Sequence, residues 1–211
     1  MYRSGLMSTL TREIAAAAAR LVADEGMEYG AARHKAAREL GRRSGRRVEL
    51  PTSEQVEDHV REHLALFHAD TQPAELRALR GLALRWMRRL AAFRPHVGGA
   101  VWRGTATRLS AVHLDLYCDD PKSAEIALLN EGLRFDTQAL QRAGAEPLNV
   151  LTLGAHCPEL GDTVTLHLSL HDLDDLRGAL LPDGRGGSWR GDAAALQRLM
   201  TTACSGSPDE P

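Results

Sequence analysis

Residues 97–117, VGGAVWRGTATRLSAVHLDLY, constrain this chain more than any other stretch. Ala111 to Tyr117 alternates, with Val112, Leu114 and Leu116 on one side and His113, Asp115 and Tyr117 on the other. Strict alternation is the period of a strand with one buried face, so His113 and Asp115 are expected to share the other face. Upstream, an apolar run ends on Gly98-Gly99, two residues without a Cβ, where the backbone can take a positive φ or approach a ligand. Arg103-Gly104-Thr105 lies between. The stretch therefore reads as strand, glycine turn, short helix or loop, and second strand, with His and Asp placed to hold a metal beside a phosphate.

On these residues the chain resembles the nucleotidyltransferase superfamily, which shares the fold of DNA polymerase β. The family pattern is a hydrophobic residue, Gly-Gly or Gly-Ser, often Arg-Gly several residues on, and then Asp-hydrophobic-Asp on a strand. Gly98-Gly99, Arg103-Gly104 and Asp115 match it, and His113 stands where the first carboxylate belongs. The resemblance implies an α+β fold, with an N-terminal helical region followed by a small mixed β-sheet with flanking helices. It implies Gly98, Gly99, Arg103 and Thr105 at a nucleoside triphosphate, Asp115 and His113 at the reacting centre, and Mg²⁺ or Mn²⁺ as the cofactor accompanying the NTP. Two such ions clamp the attacking and leaving oxygens of nucleotidyl transfer. They prefer oxygen ligands, so His113 departs from that chemistry. His167 is a further expected metal ligand, in the middle of the polar face of 163–170, where the family's third carboxylate would lie. Asp172 follows at the end of that strand.

The rest of the chain reads as helices followed by mixed structure. Thr11–Asp24 is expected as an Ala-rich helix ended by Gly26, and Glu28–Leu40 as a second ended by Gly41. Together they have the cadence of a helix-turn-helix and resemble the start of TetR-type repressors. A third helix opens at Pro51-Thr52-Ser53, with Val56, Val60, Leu64 and Phe67 as its apolar stripe. It contains His59-Val60-Arg61-Glu62-His63, the H-x-x-E-H pattern of the inverzincin peptidases, in which His59 and His63 would share Zn²⁺ beside Glu62. A fourth helix, Pro73–Phe93, carries Leu76, Leu79, Ala83, Trp86, Leu90 and Phe93 on one stripe, with its arginines off it. Lys122–Glu131 is expected as a helix with Ile126 and Leu129 inward. Pro147–Leu153 and Thr163–Leu170 read as strands and His171–Leu181 as a short helix. A final helix capped by Asp192 runs to Met200. The expected domains are 1–95, 96–204 and a disordered tail from 205.

Charge and cysteine usage narrow the partners. The net charge is −2, so no global attraction to nucleic acid follows, but residues 77–94 carry six arginines and no acid. Nucleotide is the expected partner, with RNA or another anionic acceptor on the basic helices. The three cysteines have unrelated spacings and suggest no disulfide framework. No apolar run suits a membrane span, and a cytoplasmic setting is the default expectation. Four functions stay open at this point: nucleotidyl transfer, a catalytically inactive relative that binds nucleic acid or protein, a DNA-binding regulator, and a zinc peptidase.

Overall fold

The structure, a computed structural model, describes residues 8–44, 49–142, 145–179 and 187–204. The chain divides into two compact units, Met1–Pro73 and Ala74–Pro211. The expected tail from 205 and the loop 183–186 lie outside the described residues, as does most of the basic segment after Ser44.

The first unit is three helices, α1 (Thr9–Glu25), α2 (Tyr29–Ser44) and α3 (Ser53–Phe67). Ser8 caps α1 by accepting from the Thr11 N–H at 3.1 Å. Gly26 ends α1 at φ 66°, a left-handed position that glycine takes without a Cβ penalty. Ala15, Ala18 and Ala19 are buried with Ile14 and Val22, and these small side chains let α1 lie close to Val56, Val60 and Leu64 of α3. Thr52 and Gln55 form a reciprocal capping box at the start of α3. Two expectations change here. Gly41 does not stop α2, which continues to Ser44, because a glycine inside a helix weakens it without breaking it. Phe67 is exposed on the last turn of α3 instead of completing its buried stripe.

The second unit opens with α4 (Gln72–Arg89), continued by a 3₁₀ turn, Ala91–Phe93. Its strands are β1 (His96–Gly98), β2 (Val112–Cys118), β3 (Asp136–Arg142), β4 (Ala145–Cys157), β5 (Asp162–Asp172) and β6 (Arg190–Gly191). They form one mixed sheet in the order β3-β4-β5-β2-β1-β6. β2 and β5 are parallel and the other pairs antiparallel. Helices α5 (Gly99–Arg103), α6 (Pro121–Asn130), α7 (Leu176–Ala179) and α8 (Ala193–Cys204) complete the unit. The architecture is the expected α+β one, a helical region followed by a mixed sheet with flanking helices. Leu79, Leu82, Ala83 and Met87 of α4 share one core with Leu114, Leu116, Leu166 and Leu168 of the sheet. By packing, α4 thus belongs with the sheet, so this unit begins near Ala74 and not at 96.

Several details depart from the periodicity. Ile126 and Leu129 of α6 face outward, and Ala124 and Leu128 are the buried pair. β5 runs on to Asp172, so His171 is a strand residue and not a helix start. Arg80 is buried, not off the stripe. Its Nε donates to the Val101 carbonyl at 3.1 Å and Nη2 to that of Trp102 at 3.4 Å, which satisfies the C-terminal carbonyls of α5. Burial pulls its guanidinium below the ordinary value. Cys118 and Cys157 are unbridged and buried.

Two tests of this packing follow. A Cβ on Gly191 would overlap Cη2 and Cζ3 of the Trp102 indole, whose Nε1 donates to the Ser188 carbonyl at 2.7 Å. Gly191→Ala must displace that ring and should destabilise the protein by about 1–3 kcal/mol in urea unfolding. Separately, Arg85 grips Glu159 through two hydrogen bonds of 2.6 and 3.0 Å and holds its carboxyl at about 2, against an ordinary 4.5. A depressed carboxyl stabilises the fold fully above its unfolded value and loses that contribution as pH falls through its folded one. Glu159→Gln should therefore flatten the stability–pH profile between pH 4.5 and about 2, and leave its shape above that window unchanged. The pair is half exposed, so the effect should be small.

Candidate functional site on the polar sheet face

The register gathers the polar residues of the second unit in a small area. His113 pairs with His167, Asp115 with Ser169 and Tyr117 with His171 across β2 and β5. On the other side of β2, His96 pairs with Asp115 and Gly98 with His113. Gly98 in turn faces Arg190 of β6. Alternation sends Val112, Leu114 and Leu116 into the core and leaves His113 and Asp115 partly exposed on the opposite face.

Asp115 is the hub of this face. Its Oδ1 lies 2.9 Å from His171 Nε2, and its Oδ2 lies 3.1 Å from Arg190 Nη1. Arg190 Nη1 also donates to the Tyr117 hydroxyl at 2.8 Å. Burial would lower the Arg190 guanidinium, but Asp115 and Tyr117 hold it above its ordinary value. Burial, aided by Asp115, raises the Tyr117 phenol. The Tyr117 ring stacks on His171 at 5.1 Å between centroids and meets His96 edge-on at 5.4 Å. His171 Nδ1 is 3.8 Å from Asp175 Oδ2, so the imidazole lies between two carboxylates.

His113 and His167 stack on each other, with centroids 5.0 Å apart. His167 Nδ1 is 2.9 Å from Thr152 Oγ1 of β4, which fixes the ring edge-on to its neighbouring strand. The structure thus places His113, Asp115 and His167 on one face, but their ligand atoms do not converge. Among the described residues, the group of three metal-ligating side chains with mutually close ligand atoms lies elsewhere, in the helical unit. Asp172, at the end of β5, accepts from the Asp174 N–H at 2.9 Å and so caps the 3₁₀ turn Leu173–Asp175.

The two glycines do different things. Gly99 has φ 62°, and a Cβ there would sit 3.3 Å from His113 Cδ2, so both conformation and space call for glycine. Gly98 is extended, and its Cβ would make ordinary contacts at 3.6–3.9 Å, with Arg190 Cβ and Asp115 Oδ2 among them. β1 lies between β6 and β2, and Arg190 reaches across it to Asp115. Arg103 lies at the rim, its guanidinium carbon 4.8 Å from the centroid of the Trp189 ring. Thr105 is buried, and its N–H donates to the Ala100 carbonyl at 2.9 Å, closing α5.

Reading the sequence alone placed Tyr117 on this face with His113 and Asp115 but missed His171 and Arg190. His171 was within reach, because 165, 167, 169 and 171 continue one alternation. Arg190 sits on a two-residue strand and carried no periodic signal.

Comparison with solved structures finds a weak likeness to the Cid1 poly(U) polymerase. Its MgGTP-bound form aligns over 46% of this chain and 32% of its own, at 17% identity and a TM-score of 0.33. The complex with the UTP analogue UMPNPP aligns over 48% and 31%, at 18% identity and a TM-score of 0.31. The complex with the short product ApU aligns over 51% and 32%, at 19% identity and a TM-score of 0.32. The matched part of this chain spans about a third of those polymerase chains, and a likeness at this level carries nothing about activity. No protein-family model and no curated protein matches the sequence.

The contrast between the glycines is testable by unfolding. Gly99→Ala places an L-residue in the left-handed region against His113 and should cost about 1–2 kcal/mol. Gly98→Ala should stay within about 0.5 kcal/mol of the parent, as a substitution that meets only ordinary contacts does.

Proposed function

We propose that the polar face of the second unit binds a phosphate-bearing ligand of nucleotide type, and that it acts as a binding module of nucleotidyltransferase-like architecture. The observation that carries this reading is the double engagement of Asp115. One carboxylate that already accepts from His171 and Arg190 is a fixed partner that positions both side chains instead of offering free oxygens to a metal. His113, His167, His171 and Arg190 give the face its anion-binding chemistry, and Arg103 with the partly exposed Trp189 offers a charge and a stacking surface at the rim. The glycine turn, Arg103-Gly104 and Asp115 supply the nucleotide in the reading, through the resemblance noted above.

Nucleotidyl transfer from an NTP to an unknown acceptor is the second reading. Its support is the closeness of Asp115 Oδ2 to the glycine turn, 3.9 Å from where a Gly98 Cβ would lie. A pair of Mg²⁺ or Mn²⁺ ions requires several oxygen ligands, and Mg²⁺ keeps near-ideal octahedral geometry. The donor set here is one ion-paired carboxylate and two stacked imidazoles, which does not fit that demand.

Partnership with RNA through the basic helices gains little from α4. Arg80 is buried, Arg85 pairs with Glu159, Arg88 donates to Gln197 and Arg89 pairs with Glu131. In the first unit, Arg33 donates to the Pro51 carbonyl and Lys35 pairs with Glu25, so part of the basic face expected to read DNA holds that unit together. No helix among the described residues is long and apolar enough to cross a membrane.

Calorimetric titration with ATP, GTP, CTP and UTP, with and without Mg²⁺ or Mn²⁺, separates the two readings. The binding reading predicts association without added metal that weakens at least tenfold in Arg190→Ala. Association that requires metal and disappears in Asp115→Ala, with labelled nucleoside monophosphate passing to an acceptor, would replace it with the transfer reading.

A further inference from the structure

The helical unit contains a cluster that the nucleotide reading leaves unused. Asp24 Oδ1 lies 2.9 Å from His63 Nε2 and 3.0 Å from His68 Nε2. The three ligand atoms all fall within 4.8 Å of one another. Asp24 is the penultimate residue of α1, His63 lies one turn before the end of α3 and His68 is the C-cap of α3. A carboxylate in the last turn of a helix faces the negative end of the macrodipole, so Asp24 is placed where it needs cationic company. Packing of α1 on α3 supplies two imidazoles there, both through Nε2.

We propose that Asp24, His63 and His68 form a binding site for one Zn²⁺ ion, with water or a further ligand in the fourth position. Two imidazoles and one carboxylate are a zinc donor set, and a poor one for Mg²⁺ or Ca²⁺. Tetrahedral zinc, with bonds of about 2.0–2.2 Å, sets its ligand atoms roughly 3.3–3.5 Å apart. The present oxygen–nitrogen separations of 2.9 and 3.0 Å need to open by only a few tenths of an ångström. Side-chain exposures of 44% for Asp24, 14% for His63 and 29% for His68 leave one side of the site open to solvent for the fourth ligand. His63 packs on Phe67 at 4.7 Å between centroids, which restricts its ring.

This site is not the H-x-x-E-H pair of the sequence. His59 Nδ1 turns to Glu62 Oε2 at 3.1 Å, and His63 pairs with Asp24. The ligand that joins His63 is five residues on, past the end of the helix. Zinc here would tie the end of α1 to the end of α3 and stabilise the three-helix unit, because a metal bound by the folded state alone adds its binding free energy to folding.

The test titrates the chelator-stripped full-length protein with Zn²⁺ against a chromophoric competitor, and records the visible spectrum of the Co²⁺-loaded form. The wild type should bind one zinc per chain, rise in melting temperature with zinc and show the d–d bands of low-coordinate Co²⁺. His68→Asn, which keeps a residue suited to a helix C-terminus, and Asp24→Asn should each weaken zinc at least tenfold and lose those bands, with unchanged far-ultraviolet circular dichroism. His59→Ala should bind zinc within twofold of wild type. Absence of stoichiometric zinc binding in the wild type overturns the proposal. So does an affinity that survives His68→Asn or falls in His59→Ala, since the latter would put the metal at His59 and His63.

Discussion

The salt bridge between Arg190 and Asp115 ties the polar sheet face together. It runs from the edge strand β6 over β1 to β2, and the hydrogen bond from His171 continues it to β5. Side chains of three strands, β6, β2 and β5, are thereby linked across β1. Asp115 is mostly buried, and a buried carboxylate without a partner is costly, so the partners and the carboxylate depend on one another. Glycine at position 98 belongs to the same arrangement. It pairs with Arg190 on one side and His113 on the other, and a Cβ there would meet only ordinary contacts.

Behind the face, the core works through α4. Its apolar stripe supports the sheet, and Arg80 reaches out of that stripe to the carbonyls of Val101 and Trp102. A buried guanidinium is tolerable because it satisfies helix-end acceptors that would otherwise be unpaired. Through α5 it fixes the glycine turn, and the turn in turn sets His113 under Gly99. The position of the candidate site is therefore decided by packing that begins one helix before the motif.

Much of this was legible in the sequence. The alternation from Val112 to Tyr117 located β2 and its two faces, because period two is enforced by a one-sided core. Gly26, Thr52 and Asp192 marked helix ends through local capping chemistry. What escaped was set by tertiary contact. Ile126 and Leu129 gave an apolar spacing, but Ala124 and Leu128 are the residues that join the core. Arg80 looked like one more surface arginine until the α5 carbonyls appeared beside it. The partners of Asp115 come from the end of β5 and from a two-residue edge strand, and no local pattern connects positions 115, 171 and 190. His63 was singled out beside His59, whereas Asp24 reaches it only when α1 packs on α3, and His68 lies past the helix end, outside the motif.

A double-mutant cycle on Asp115 and Arg190, read by urea unfolding of the full chain, tests the central claim most directly. Asp115→Asn, Arg190→Met and the double variant would be compared with wild type. If the carboxylate is a fixed partner of the guanidinium, the two substitutions should be non-additive, with a coupling of about 1–3 kcal/mol. Additive effects, within about 0.3–0.5 kcal/mol, would mean that Asp115 stands free of Arg190 in solution. Its oxygens would then be available to a metal, and the account of this face as an anion-binding surface would fail.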